Sequence, residues 1–239
     1  MMKRSLVVSA LCLVAGSAIA ADMPVKAYPR NNYQPGAYSW NGFYVGGTVG
    51  AGIVTPQFTD HDAFFTESLW QAGDWSFTGG LTAGYNVQYG AAVFGVEADI
   101  NWTSFDNSLT NASFGSQFDS KWNWFSTVRG RFGLAFDRAL IYATAGVAIV
   151  NQDYNVFYPG FLCGDEVCAK HKKTDIGLAL GAGAEYALGN NWSFKAEYLF
   201  IKLPTKEAND FAVNSNAAFQ FTTDAHFARV GLNYRFGQY

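Results

Sequence analysis

A chain of 239 residues that is 49% hydrophobic and 17% aromatic is too apolar to stay disordered and long enough to enclose an interior. Its formal charge of −3 provides no general basic surface, which argues against nucleic acid as a partner. No stretch beyond the N-terminus reaches the roughly 18 consecutive apolar residues of a membrane-spanning helix, so the apolar content is dispersed.

Residues 1–20 read as a secretory signal: Lys3 and Arg4, an apolar run from Leu6 to Val14, then Ala18-Ile19-Ala20 as the small-residue cleavage site. Cys12 lies inside the apolar run behind bulky Leu11, which disfavours a lipoprotein. The mature chain is expected to start at Ala21, and losing Lys3 and Arg4 takes its formal charge from −3 to −5. Residues 21–40 place Pro24, Pro29 and Pro35 among Lys26, Arg30, Asn31 and Asn32, a composition suited to a flexible N-terminal segment ahead of one folded domain over 41–239.

From there the chain repeats one pattern. A glycine-rich segment near 42–54 is the first and a weak case; its glycines suit packing room and curvature better than a phosphate loop. The second sets Phe77, Leu81, Ala83, Tyr85 and Val87 against Thr78, Thr82 and Asn86. The third sets Phe94, Val96, Ala98, Ile100 and Trp102 against Glu97, Asp99 and Asn101. Around 122–136, Val128, Phe132, Leu134 and Phe136 oppose Thr127, Arg129 and Arg131, and a further weak segment covers 139–151. Then Ile176, Leu178, Leu180, Ala182, Ala184, Tyr186 and Leu188 alternate with glycines and Glu185, and Trp192, Phe194, Ala196, Tyr198 and Phe200 with Ser193, Lys195 and Glu197. The last segment is the clearest: Ala228, Val230, Leu232, Tyr234 and Phe236 alternate strictly with Arg229, Gly231, Asn233 and Arg235. Successive strand side chains point to opposite faces, so each segment shows one face to something apolar and the other to something polar.

These eight segments suit the roughly 9–11 residues of a tilted membrane strand, and their number is even, as in single-chain outer-membrane barrels. The expected fold is therefore all-β, an eight-stranded antiparallel up-and-down transmembrane β-barrel. Short connections near 88–91, 137–139 and 189–191 alternate with long ones near 55–74, 104–121, 152–172 and 204–222. Short turns are periplasmic in such barrels, which places both termini in the periplasm and four long loops outside the cell. Aromatic residues mark the two interfaces: Trp40, Phe43, Tyr89, Phe136, Tyr186, Trp192 and Phe236 at the periplasmic ends, Trp75, Trp102, Trp122, Phe200 and Phe227 at the outer ends. The inward face is expected to hold Glu97, Asp99, Glu185 and Glu197 against Arg129, Arg131, Lys195, Arg229 and Arg235, a near-balanced network that fills the lumen; a conduction or proton path is the functional alternative.

Cys163 and Cys168 remain after processing, and export to an oxidising compartment points to a disulfide pinching a small loop. A metal site with Asp165, Glu166 and His171 is the sharper alternative, but Cys-x4-Cys matches no strong zinc spacing. No nucleophile elbow, zinc-protease helix motif or phosphate loop is present, so the chain reads as a non-enzyme that needs no cofactor. His61 and His171 are weak candidates for a ligand such as haem.

The segment Ala21-Asp-Met-Pro-Val-Lys-Ala27, the run Tyr38-Ser-Trp-Asn-Gly-Phe-Tyr-Val-Gly46 and the ending Val230-Gly-Leu-Asn-Tyr-Arg-Phe236 resemble the small outer-membrane immunogenic proteins of Gram-negative bacteria, the RopB-like group with an OmpA-like transmembrane barrel. The resemblance runs from end to end and implies an abundant surface-exposed barrel that maintains the envelope; haem binding and porin activity, described for some relatives, are the alternatives. It also implies a terminal aromatic, Phe236 or Tyr239, read by the barrel-assembly machinery. Expected partners are outer-membrane lipid and lipopolysaccharide, that machinery and periplasmic chaperones, with peptidoglycan and the host surface as further candidates.

Overall fold

The computed structural model describes residues 38–60, 69–71, 74–111, 116–157, 167–189, 191–208 and 219–236. Among them, eleven strands form one antiparallel sheet: β1 (Gly42–Asp60), β2 (Leu69–Gln71), β3 (Asp74–Tyr89), β4 (Ala92–Thr103), β5 (Asp106–Asn111), β6 (Ser116–Phe136), β7 (Ala139–Phe157), β8 (Val167–Gly189), β9 (Trp192–Lys202), β10 (Lys206–Ala208) and β11 (Phe219–Arg235). Eight of these, β1, β3, β4, β6, β7, β8, β9 and β11, follow one another around a wall that closes when β11 pairs with β1, from Tyr44 opposite Arg235 to Asp60 opposite Phe219. Beyond the last rung, the Phe236 amide donates to the Phe43 carbonyl at 2.8 Å, and the two rings stack at 5.7 Å.

The alternation read from the sequence is the alternation of the wall. On β9, Trp192, Phe194, Ala196 and Tyr198 are exposed to the outside while Ser193, Lys195, Glu197 and Leu199 are buried within. At the short end the turns are tight, with Gly90, Asp137 and Asn191 at positive φ of 60°, 52° and 71°, a region that Gly, Asn and Asp enter most readily.

At the other end the strands outrun the membrane. β1, β6, β7, β8 and β11 have 17 to 23 residues, against the roughly 9–11 needed to span. β1 and β3 separate after Val54 opposite Asp74, and β8 and β9 separate beyond Leu178 opposite Lys202. The β1–β11 and β6–β7–β8 ladders nevertheless continue. The wall thus rises into two ribbons, one flanked by short β2 and β10, the other by β5. Stretches read from the sequence as long loops are in part this extended hairpin structure, because their backbones still find antiparallel partners.

Three aromatics assigned to the interface belts lie inside instead. Trp40, Trp122 and Phe227 are fully buried. Phe227 has the same parity on β11 as Arg229, so alternation puts it in the lumen, and closeness to a strand end misleads. Trp122 is turned inward by a bulge: the β6–β7 register shifts between Trp122 and Trp124, and Asn123 lets both Trp122 and Phe125 face the interior. Trp40 belongs to residues 38–41, which pack against the barrel instead of continuing as an extended leader. Phe43, Tyr89, Phe136, Tyr186, Trp192 and Phe236 stay exposed at the short-turn end, as do Trp75 and Trp102 at the opposite one.

Val230 lies on the exposed face of β11, opposite Val49 and Ala196. Replacing it by arginine puts a charge into hydrocarbon and is expected to cost about 2–4 kcal/mol near the midplane. The loss should appear as a lowered unfolding midpoint in liposomes and weaker heat-modifiable gel migration; unchanged values would contradict the face assignment.

Candidate functional site

The lumen is filled in three layers. The middle one is ionic, and its members come from neighbouring strands in register: Glu97 is opposite Arg129, Glu197 opposite Arg229, and Glu185 opposite Lys195. Arg129 is the hub. Its Nη2 lies 2.7 Å from Glu97 Oε1 and 2.8 Å from Asp99 Oδ2, while its Nη1 engages Glu197 and donates to Thr144 Oγ1 at 2.9 Å. Arg229 binds the other side of Glu197 at 2.9 Å, and Lys195 Nζ lies 3.2 Å from Glu97 Oε2.

A second centre is Glu185, which pairs with Arg131 and accepts from Ser193 Oγ at 2.5 Å and Asn233 Nδ2 at 3.1 Å. Tyr44 joins the two centres. Its hydroxyl donates to Glu97 Oε2 at 2.7 Å and accepts from Arg131 Nη1 at 3.1 Å. The Arg131 guanidinium also lies 3.8 Å from the centroid of the Tyr142 ring. All nine charged residues expected in the lumen are brought together here, and each is buried. A buried charge is tolerable only when paired and hydrogen-bonded, and each of the four carboxylates has a cationic partner. Glycine makes room: a Cβ at Gly181 would sit 2.9 Å from Arg129 Nη1, and one at Gly50 would sit 2.9 Å from Arg229 Cα. The glycine-rich β1 thus serves packing.

Above the charges is an apolar layer that includes Val54, Phe105, Trp122, Phe125, Leu199, Ile201 and Phe227. Phe125 stacks on Phe227 at 5.0 Å. Below them, Trp40 packs with Val93, Leu140, Tyr142 and Ala187 in the mouth at the short-turn end. Trp40 is held at several points: its amide donates to Gln88 Oε1 at 2.7 Å, its Nε1 to the Asp137 carbonyl at 3.2 Å, and the Arg235 guanidinium lies 4.6 Å from its ring centroid. Arg235 Nη1 also donates to the Ser39 carbonyl at 3.3 Å.

Sequence reasoning missed Tyr44, Tyr142, Trp40 and the outer apolar layer. The layer had a signal: the uninterrupted apolar run Tyr198-Leu199-Phe200-Ile201 breaks the alternation where both faces become apolar. Trp40 had none, since its burial depends on partners about 48 and 97 residues away. Of the remaining candidates, Phe236 is exposed at the seam, while His61, Cys163 and Tyr239 lie outside the described residues. His171 and Cys168 are on the outer part of β8, with His171 opposite Tyr154.

The sequence matches the outer membrane protein β-barrel domain family over residues 8–236. It is 35% identical to the 31 kDa outer-membrane immunogenic protein of Brucella melitensis, covering 98% of this chain and all of that one. It is 29% identical to the 22 kDa outer membrane protein of Rhizobium leguminosarum bv. viciae, over 91% of this chain and 83% of the relative. Among solved structures, Neisserial surface protein A superposes with a TM-score of 0.43 at 14% identity, covering 81% of this chain and 97% of that one.

Removing Arg129 leaves three carboxylates without their shared cation. Arg129→Leu is expected to destabilise the barrel by about 3–5 kcal/mol, the range for breaking a buried ion pair from one side. Denaturant unfolding in liposomes measures it; a change below about 1 kcal/mol would show that the hub is dispensable.

Proposed function

The chain belongs to the outer-membrane protein β-barrel family, and from that premise we propose that it is a sealed structural barrel of the outer membrane. In this reading its work is done at two surfaces. The wall meets lipid and supports the envelope, and the outer ribbons and loops meet the environment or a host. The observation that carries the reading is the filled lumen. A solute would have to pass the stacked Phe125 and Phe227, then Arg129 with its carboxylates, then Trp40.

The same geometry supports a role without catalysis. Glu97, Asp99, Glu185 and Glu197 are all engaged by guanidinium or ammonium groups, and general acid–base chemistry needs a group within reach of a substrate proton. The immunogenic character in the Brucella relative's name agrees with ribbons that antibodies can reach. Exposed Phe236, paired to the first strand, suits recognition by the barrel-assembly machinery as the last strand arrives.

Two measurements test this. In planar bilayers the refolded protein is expected to give no discrete steps, and regular steps from the wild type would replace the sealed barrel with a narrow channel. Cells lacking the protein are expected to be more sensitive to detergent, with rescue by a barrel whose outer loops are shortened. Unchanged sensitivity would remove the envelope role.

A further inference from the structure

Summed over the lumen, the charges do not cancel. One centre sets Arg129, Lys195 and Arg229 against Glu97, Asp99 and Glu197, three against three. The other sets Arg131 and Arg235 against Glu185 alone, two against one. Arg131 also lies 3.7 Å from Glu97, but Glu97 is already shared by Arg129 and Lys195, so this link moves the excess without removing it. Asp175 is buried too, yet it is ten residues from Glu185 along β8, about 33 Å, and has a partner of its own. The short-turn end of the lumen therefore carries one positive charge more than its carboxylates neutralise.

The excess falls on Arg235. It is fully buried, and among the described residues Glu185 is the one acid at ion-pair distance, with Arg235 Nη2 3.6 Å from Glu185 Oε1. That carboxylate is committed elsewhere: it pairs with Arg131 and accepts from Ser193 and Asn233. Arg235 Nη1 reaches the Tyr38 hydroxyl at 3.4 Å and the Ser39 carbonyl at 3.3 Å, both uncharged. Its Nε and Nη2 are buried and donate no hydrogen bond among the described residues. The guanidinium lies 4.6 Å from the centroid of the Trp40 ring, which helps to shut the charge off from bulk water.

Asn86 provides the second observation. It is fully buried, and neither its Nδ2 nor its Oδ1 has a hydrogen-bond partner among the described residues, although a buried amide ordinarily has one. One register row runs through Arg131, Gly95, Asn86 and Gly42, on β6, β4, β3 and β1. A Cβ at Gly42 would stand 3.9 Å from Arg235 Cγ, so the row ends against Arg235. The orphaned amide is thus in register between the two arginines that share Glu185, and the glycines on either side of it bring no acceptor.

We propose that this end of the lumen binds one small monovalent anion, chloride being the simplest. Arg235 Nε and Nη2 hold it, and the Asn86 amide completes the cradle. A buried charge is tolerable only with a partner, which gives the anion its driving force. An excess of one sets its charge, and the packed lumen sets its size. Hydrogen bonds between a guanidinium and an anion are among the strong ones. The site is a dead end, because the Arg129 centre and the stacked Phe125 and Phe227 stand beyond it, so it is compatible with a barrel that does not conduct.

The test uses the full barrel, purified without chloride and refolded into liposomes. It is unfolded with urea in sodium chloride and in sodium gluconate of equal ionic strength, gluconate being too large for the site. The ratio of folded to unfolded protein is expected to be about tenfold higher in chloride, the effect of a ligand at about ten times its dissociation constant. Asn86→Asp places a carboxylate of nearly the same shape in the cradle and should remove the chloride dependence while keeping the fold. Arg235→Gln takes away the excess cation and should remove it too, while Lys121→Ala, in the exposed pair with Asp106, should keep it. Heat-modifiable migration verifies that each variant is folded. Crystals in sodium bromide should show an anomalous-scattering peak within hydrogen-bond distance of Arg235 Nε or Nη2. Equal wild-type stability in the two salts, or an Asn86→Asp variant as chloride-dependent as the wild type, would overturn the site. A lumen without bromide would do the same, leaving ordered water as the partner of Arg235 and Asn86. None of these failures touches the sealed barrel, which planar-bilayer recording tests separately.

Discussion

A peptide group facing hydrocarbon has no water to bond to, and each one left unpaired costs several kcal/mol. β11 must therefore come round to β1, and the pairing from Tyr44–Arg235 to Asp60–Phe219 is the consequence. Once the wall is closed, alternation has only two destinations for a side chain, lipid or lumen. A slip of one residue in any ladder would carry a row such as Lys195 and Glu197 into the bilayer. Register, closure and the sorting of residues are in this sense one constraint seen three times.

The inside has a problem of its own. Eight strands enclose a space that side chains just fill, and alternation requires the filling to be polar where the outside is apolar. The protein meets this with mutual neutralisation: Arg129 is shared among three carboxylates, Tyr44 passes a hydrogen bond between two centres, and glycines opposite long side chains give them room. Replacing such a network by hydrocarbon is often no less stable in a soluble core. In a barrel, inward charge also marks which face is which, because the alternative face is lipid.

The barrel and the members of its ionic layer were legible in the sequence because both depend on a period of two, which needs no knowledge of partners. Glu97, Arg129, Lys195 and Arg229 could be placed inside from their immediate neighbours alone. What escaped was non-local or aperiodic. The bulge at Asn123 changes parity within β6, and no alternation rule anticipates where an extra residue is inserted. Trp40 precedes the first strand, and its contacts with Gln88, Asp137 and Arg235 exist only once distant strands are assembled. Strand ends were overestimated as interface markers because an aromatic near the rim serves equally well as a lumen filler, as Phe227 does on Phe125.

The contact between residues 38–41 and the last strand also bears on the order of assembly. Tyr38 and Arg235, joined at 3.4 Å, are 197 residues apart, and contacts of such separation form only after the intervening chain has been organised. The stopper in the short-turn mouth therefore cannot seat on a partly delivered chain. Its seating records that the terminal strand has arrived, so the finished barrel and its incomplete precursors differ in whether that mouth is stoppered.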